Sequence, residues 1–264
     1  MAILRHPKSD TPYPAPMQIE EYDALEIVER EHWFYKGKRL LVRHWIERAT
    51  ELSAGDRIVD CGAGTGELVR ELRGMFEHRH IAVIGIEYSE EARRLALERK
   101  GTSLLSGSIL DLPLNDESSK VTIALDVLEH VEDDHLAFSE MLRITEPGGI
   151  LIINVPAFMS LWSDWDVSLG HFRRYSKAML REVLMPHRME CDVLHFEYAN
   201  AFAFLPILTI RKLSRLLRLQ SRFEDRIPSS RANTLLLNLF VAPSKASWFH
   251  PPFGSSLFCV LKKR

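Results

Sequence analysis

The apolar positions of the chain fall into two alternating patterns. Short, nearly continuous apolar runs occupy residues 57–61 (RIVDC), 81–87 (IAVIGIE), 103–106, 121–127 (VTIALDV) and 149–155 (GILIINV), the last after a Pro147-Gly148-Gly149 turn. Their length and bounds read as strands. Residues 67–76, 90–100 and 134–144 instead repeat apolar positions at helical spacing, and Ser89 stands where the second of these helices needs an N-cap. Strands alternating with helices predict a parallel sheet covered on both faces. Continuous apolar strands agree, because such a sheet is buried on both sides. Right-handed crossovers then make it doubly wound.

The flanks extend this plan. Residues 23–51 form one long helical pattern with Leu25, Val28, Trp33, Leu40, Leu41, Trp45 and Ile46 as its apolar set. Residues 176–184 read as a helix capped by Ser176, and 190–197 and 256–262 as strands. A connection as long as 198–254 needs structure of its own and is read as a helical cap inserted before the last strand. Residues 1–20, rich in proline, read as a flexible arm. The main domain is then 21–197 plus 255–264, with N-terminal lid helices.

Composition narrows the function classes. Across 264 residues, 34 Lys+Arg face 36 Asp+Glu, and 46% of residues are hydrophobic. That is enough apolar surface to exclude general disorder, and there is no basic excess for nucleic acid. Three scattered cysteines offer neither a disulfide scaffold nor a CxxC metal site, so no metal site is read and a reducing, cytoplasmic setting fits. The longest apolar run, 198–210, falls short of the ~20 residues that span a bilayer. Beyond it, Leu205, Leu208, Leu213, Leu216, Leu217 and Leu219 run beside Arg211, Lys212, Arg215, Arg218 and Arg222, with no acidic residue between Arg211 and Arg222. The favoured reading is a cap helix that packs its leucines on the sheet domain. The other is a helix lying on the inner, anionic face of the membrane. Residues 235–241 (LLLNLFV) add a greasy lid, over an apolar substrate or at a homodimer contact.

The first strand runs into Asp60-Cys61-Gly62-Ala63-Gly64-Thr65-Gly66-Glu67. Glycines here let backbone approach a ligand closely. The spacing is GxGxG rather than GxGxxG. Glu67 also puts a carboxylate where a pyrophosphate would need the positive helix end, which counts against a nicotinamide dinucleotide. Glu87 closes the second strand, where a carboxylate can accept hydrogen bonds from ribose hydroxyls.

At these residues the chain resembles the class I S-adenosylmethionine-dependent methyltransferases. The resemblance covers residues 55–160 and implies a seven-stranded, mostly parallel sheet whose last two strands form an antiparallel end pair. It implies cofactor contacts from Asp60, Gly62, Ala63, Gly64, Gly66, Glu87 and Tyr88. The loop after the third strand (GSILDLP) adds Ser108, Ile109 and Leu110, with Ser108 where the family's adenine-contacting Asp usually stands. The fourth-strand motif (ALDVLEHV) adds Asp126 and Val127. S-adenosylmethionine is the implied methyl donor and S-adenosylhomocysteine the product.

Ligands collect beyond strand carboxyl ends in such sheets. After the fifth strand come Trp162, Trp165 and His171-Phe172-Arg173-Arg174-Tyr175-Ser176, and near the N-terminus Glu31-His32-Trp33-Phe34-Tyr35. Both stretches resemble a bacterial subgroup with an aromatic-rich stretch and H-x-R-R-Y-S after the fifth strand. It implies an acceptor pocket from Trp33, Tyr35, Trp162, Trp165, Arg173, Arg174 and Tyr175, and a small-molecule or lipid-linked acceptor methylated at O or N. His171 is the first choice as general base and His130 the second. Arg173 and Arg174 can hold an acidic substrate group or pair with Asp164 or Asp166. A nicotinamide-dependent oxidoreductase and a non-catalytic cofactor binder are the competing functions.

Overall fold

In a computed structural model, residues 26–217, 227–245 and 250–264 are described. The expectations for the N-terminal arm, Leu25, Arg218, Leu219 and Arg222 fall outside them. The elements are α1 (Trp33–Ala49), β1 (Arg57–Cys61), α2 (Glu67–Phe76), β2 (Ala82–Glu87), α3 (Glu90–Lys100), β3 (Leu105–Ser106), β4 (Ser119–Leu125), α4 (Asp134–Ile144), β5 (Thr145–Pro156), α5 (Asp164–Ser168), α6 (Lys177–Leu184), β6 (Cys191–Ala199), α7 (Ala201–Leu217), α8 (Ser230–Lys245) and β7 (Ser256–Lys263).

The strands form one seven-stranded sheet in the order β3-β2-β1-β4-β5-β7-β6. The first five are parallel, and β7 runs antiparallel between β5 and β6. The strands other than the short, exposed β3 feed both faces. Ile150 and Ile152 of β5 pack with Leu41, Val42, Val69 and Leu72, while Leu151 and Ile153 pack with Phe138 and Met141 on the other side. This two-sided burial is why the strands read as unbroken apolar runs. Ser89 and Ser176 cap α3 and α6 by accepting from Ala92 and Met179 backbone N–H groups.

Three differences from the sequence reading bear on the site. The N-terminal helical pattern is broken at His32, which is extended; residues 26–31 form a separate helical stretch. The break is satisfied from far away, since the Trp33 N–H donates to Asn233 Oδ1 at 2.9 Å and Asn233 Nδ2 donates to the Glu31 carbonyl at 2.8 Å. Second, β4 stops at Leu125, because Asp126 takes a left-handed conformation (φ 56°) that ends the strand.

Third, α7 does not bury its leucines on the sheet domain. Leu205, Leu213, Leu216 and Leu217 are 57, 51, 79 and 55% exposed. Its inward face is Ala203, Phe204 and Arg211 instead. Helix α8 does pack inward, through Phe240 against Gly37 of α1, where an added Cβ would lie 1.9 Å from the Phe240 ring.

Candidate active site

Between β1 and α2 the chain turns through left-handed Gly62, Gly64 and Gly66. A Cβ on Gly62 would meet Val127 at 2.5 Å, so the turn must stay bare to nest against the end of β4. Both oxygens of Glu87 hold backbone: Gly64 N–H donates to Oε2 and Ser89 N–H to Oε1, each at 2.8 Å. Burial pushes the Glu87 carboxyl above its ordinary pKa. Asp60, at the end of β1, is pushed up to about 7 by burial, with Glu87 and Glu29 adding repulsion. Glu29 reaches the loop from the N-terminal helical stretch and accepts from Thr65 Oγ1 at 2.5 Å. Lys100 Nζ donates to Thr65 Oγ1 at 2.7 Å and pairs with Glu67 at 3.3 Å.

A single cavity of about 1240 Å³ starts at this loop and runs under α1, α5 and α7. Asp60, Gly62, Ala63, Gly64, Glu87, Tyr88, Ile109, Asp126 and Val127 line it, as do Trp33, Tyr35, His130, Trp165, His171 and Arg174. The far end is polar and crowded. Lys38, buried, pairs with Asp126 and lies over the Phe34 ring at 3.9 Å. Asn154 Nδ2 donates to Asp126 Oδ1 at 2.7 Å. His171 Nδ1 lies 3.0 Å from Asp166 Oδ1, Nε2 lies 4.0 Å from Glu129 Oε1, and the His130 ring stands edge-on at 4.5 Å. Asp166 is fully buried. It takes Arg174 Nε at 2.6 Å and the Ser163 N–H at 2.8 Å, with Arg211 at 3.5 Å. Although burial opposes it, His171 and Arg174 hold the Asp166 carboxyl well below the usual range. Burial and His171 hold His130 down to about 3. Glu129 is raised, by burial first and then by Asp126.

Six expected site residues lie off this wall. Gly66 supports the loop from behind, where a Cβ would meet Thr102 at 3.0 Å and Ala96 at 3.3 Å. Ser108 turns back to accept from the Leu110 N–H at 2.9 Å, and neither residue lines the cleft. Trp162 is also off the wall. Arg173 points to α4, pairing with Asp134 at 2.7 Å and donating to the Glu132 carbonyl at 2.8 Å. Tyr175 is a core residue with no exposure, its hydroxyl donating to Asp134 at 2.8 Å. The H-x-R-R-Y-S string therefore divides: His171 and Arg174 face the cleft, while Arg173 and Tyr175 anchor the segment to α4.

Sequence reasoning missed Glu29, His32, Lys38, Glu129, Arg211 and Asn200, all on the wall. Asn154 carried a signal, a lone amide in an apolar strand. Lys38 and Arg211 carried none, since charged positions on amphipathic helices ordinarily face water.

The methyltransferase-domain family matches residues 59–153. This stretch is a methyltransferase domain, similar to those of S-adenosylmethionine-dependent methyltransferases. Curated relatives include an uncharacterised methyltransferase of Mycobacterium bovis, 25% identical over 142 residues, covering 53% of this chain and 54% of that one. Another, of Mycobacterium ulcerans, is 26% identical over 140 residues, covering 52% and 53%. The chain spans about half the length of the curated relatives it matches.

Among solved structures, phosphoethanolamine N-methyltransferase 2 of Haemonchus contortus, in complex with S-adenosylmethionine, aligns with TM-score 0.59 at 16% identity, over 93% of this chain and 57% of that. A methyltransferase of Thermotoga maritima aligns with TM-score 0.56 at 20% identity, over 93% and 96%. The cyclase SpnF aligns with TM-score 0.54 at 19% identity, over 96% and 99%. At such identities the likeness is one of fold. The methyltransferase domain fits its cofactor at the loop end of the cleft: bare glycines permit close approach, and Asp60 and Glu87 offer acceptors for an ammonium and for hydroxyls.

Proposed function

We propose that the protein transfers a methyl group from S-adenosylmethionine to a small-molecule or lipid-linked acceptor, at oxygen or nitrogen. The observation that carries this reading is the continuity of the cleft: one cavity joins the glycine loop to a chamber walled by Trp33, Tyr35, Trp165, Glu129, His130 and His171. Bound at the loop, the cofactor supplies an electrophilic methyl group. The chain's own part is to hold, orient and dry the reactants. Asp60, Gly62, Gly64 and Glu87 fix the donor, while Trp33, Phe34, Tyr35 and Trp165 exclude water and offer ring faces to a cationic centre. Activation of the acceptor heteroatom falls to the Glu129–His130–His171 group, in which Glu129 and His171 are buried and His130 half-buried. Asp166 fixes His171 through Nδ1, so Nε2 is the basic atom turned toward Glu129.

The exposed leucines of α7, and the lack of acidic side chains from Arg211 to Arg222, support a position at the cytoplasmic face of an anionic membrane. No helix among the described residues is long and apolar enough to cross one. The test is incubation of a cell extract with the protein and isotope-labelled methyl donor, read by mass spectrometry. A labelled small molecule or lipid supports the reading; a label found only in protein or nucleic acid overturns the acceptor class.

A further inference from the structure

The acceptor end of the cleft contains a carboxyl group that no other described residue hydrogen-bonds; its nearest ion-pair partner is His171 Nε2, 4.0 Å away. Glu129 is fully buried, and neither of its carboxylate oxygens is hydrogen-bonded by another of the described residues. A buried carboxyl group with neither oxygen hydrogen-bonded is costly even when neutral, so it points to a partner that arrives from outside the chain. Of the buried cations nearby, Lys38 is already paired with Asp126 and Arg174 with Asp166.

We infer that Glu129, His130 and His171 bind one divalent transition-metal cation, such as zinc or manganese, at the acceptor end of the cleft. One ligand-type atom from each lies within 4.8 Å of the others. Ligands about 2.1 Å from a common ion stand closer together than this, and side-chain rotations of under about 1 Å close the gap. The supporting residues match what metal-bound histidines need. Asp166 takes His171 Nδ1 at 3.0 Å, which directs Nε2 toward Glu129. Asp166 is itself fixed by Arg174 at 2.6 Å and the Ser163 N–H at 2.8 Å. A carboxylate behind the ligating imidazole fixes its tautomer and raises its basicity. Two imidazoles and one carboxylate suit zinc, manganese or iron rather than calcium or a soft thiophilic ion. All three residues line the cleft, so the ion keeps coordination positions open toward the acceptor.

The consequence for function rests on the methyltransferase reading. An ion here takes an oxygen or nitrogen of the acceptor as a further ligand and lowers its pKa, in place of a free imidazole base. Sequence spacing hid the site, because His171 lies far along the chain from Glu129-His130.

The experiment is calorimetric titration of the chelator-treated full-length protein with Zn²⁺, without methyl donor. The expected result is one-to-one binding that weakens at least about tenfold in Glu129→Gln and in His171→Ala, and about 10–100-fold in Asp166→Asn. Absence of one-to-one binding, or binding unchanged in both Glu129→Gln and His171→Ala, overturns the site. Circular dichroism and S-adenosylhomocysteine affinity report whether each variant folds, and any variant that fails is left out of the comparison. Zinc binding by a protein that ignores S-adenosylhomocysteine would overturn the methyltransferase reading and leave the cation site standing.

Discussion

The backbone N–H of Gly64 donates to Glu87 Oε2 at 2.8 Å, so the carboxylate that ends β2 also ties down the glycine loop. Its other oxygen holds the Ser89 N–H at the start of α3. Glu87→Ala therefore removes a ligand acceptor and loosens the loop together. S-adenosylhomocysteine affinity should fall about 10–150-fold, equivalent to about 1.5–3 kcal/mol for charge-assisted hydrogen bonds. Calorimetry with unchanged affinity would take Glu87 out of the site.

Asp60 should make cofactor binding depend on pH. Its carboxyl is pushed up to about 7 from an ordinary 3.8, by burial and then by Glu87 and Glu29. Below that value the empty protein holds Asp60 protonated, whereas an ammonium group favours the carboxylate. Affinity should thus rise as pH climbs from about 6 toward about 7.5 and then flatten. The sign for stability is the opposite. The folded state binds the proton more tightly than the unfolded one, so the free protein loses stability as pH rises from about 3.8 to about 7 and levels off above that. Asp60→Asn should abolish the rise in affinity, and a wild-type profile in that variant would assign the effect elsewhere.

Asn233 is the keystone between the cap and the N-terminal lid, bonded to the Trp33 N–H and the Glu31 carbonyl. It adds a distant acceptor to the local N-cap of α1, His32, whose Nδ1 accepts from the Phe34 N–H at 3.3 Å. Asn233→Ala should cost about 0.5–2 kcal/mol. In a protein of this size that lowers Tm by about 2–4 °C per kcal/mol. A thermal scan superimposing on wild type would show that water replaces the cap without loss.

His171 presents Nε2 toward Glu129 while Asp166 holds Nδ1. His171→Ala should slow turnover about 10²–10⁴-fold with S-adenosylhomocysteine affinity retained. A defect confined to acceptor KM would make His171 a binding residue. Full activity would remove it from the mechanism.

The strands and sheet-covering helices were legible because burial on two faces leaves an unbroken apolar run, and because caps such as Ser89 and Ser176 act within a few residues of the helix they start. The loop end of the cleft was legible for a related reason: Asp60, the glycines and Glu87 are placed on its wall by the strand ends that carry them. What escaped is what depends on distant segments. The break at His32 is stabilised by Asn233, which no local pattern announces. Lys38 and Arg211 read as surface charge on amphipathic helices, yet each is buried against a carboxylate, Asp126 or Asp166. Tyr175 was assigned to the pocket by its place in a motif, whereas its hydroxyl is spent on Asp134 and the motif's backbone turns it into the core. The leucines of α7 read as packing residues, but the helix turns Ala203, Phe204 and Arg211 inward instead.

Binding of the methyl donor at the loop end of the cleft is the step on which the rest depends. Its most direct test is calorimetric titration of the full-length protein with S-adenosylhomocysteine, beside the Gly64→Val variant and beside NAD. Gly64 sits at φ 53°, where a β-branched residue is strained, and a side chain there would project beside Glu29 into the cleft. The wild type should bind S-adenosylhomocysteine one-to-one, Gly64→Val should lose that binding with the fold retained, and NAD should not bind. Tight binding of NAD without S-adenosylhomocysteine, or wild-type affinity in Gly64→Val, would contradict binding of the methyl donor at this loop.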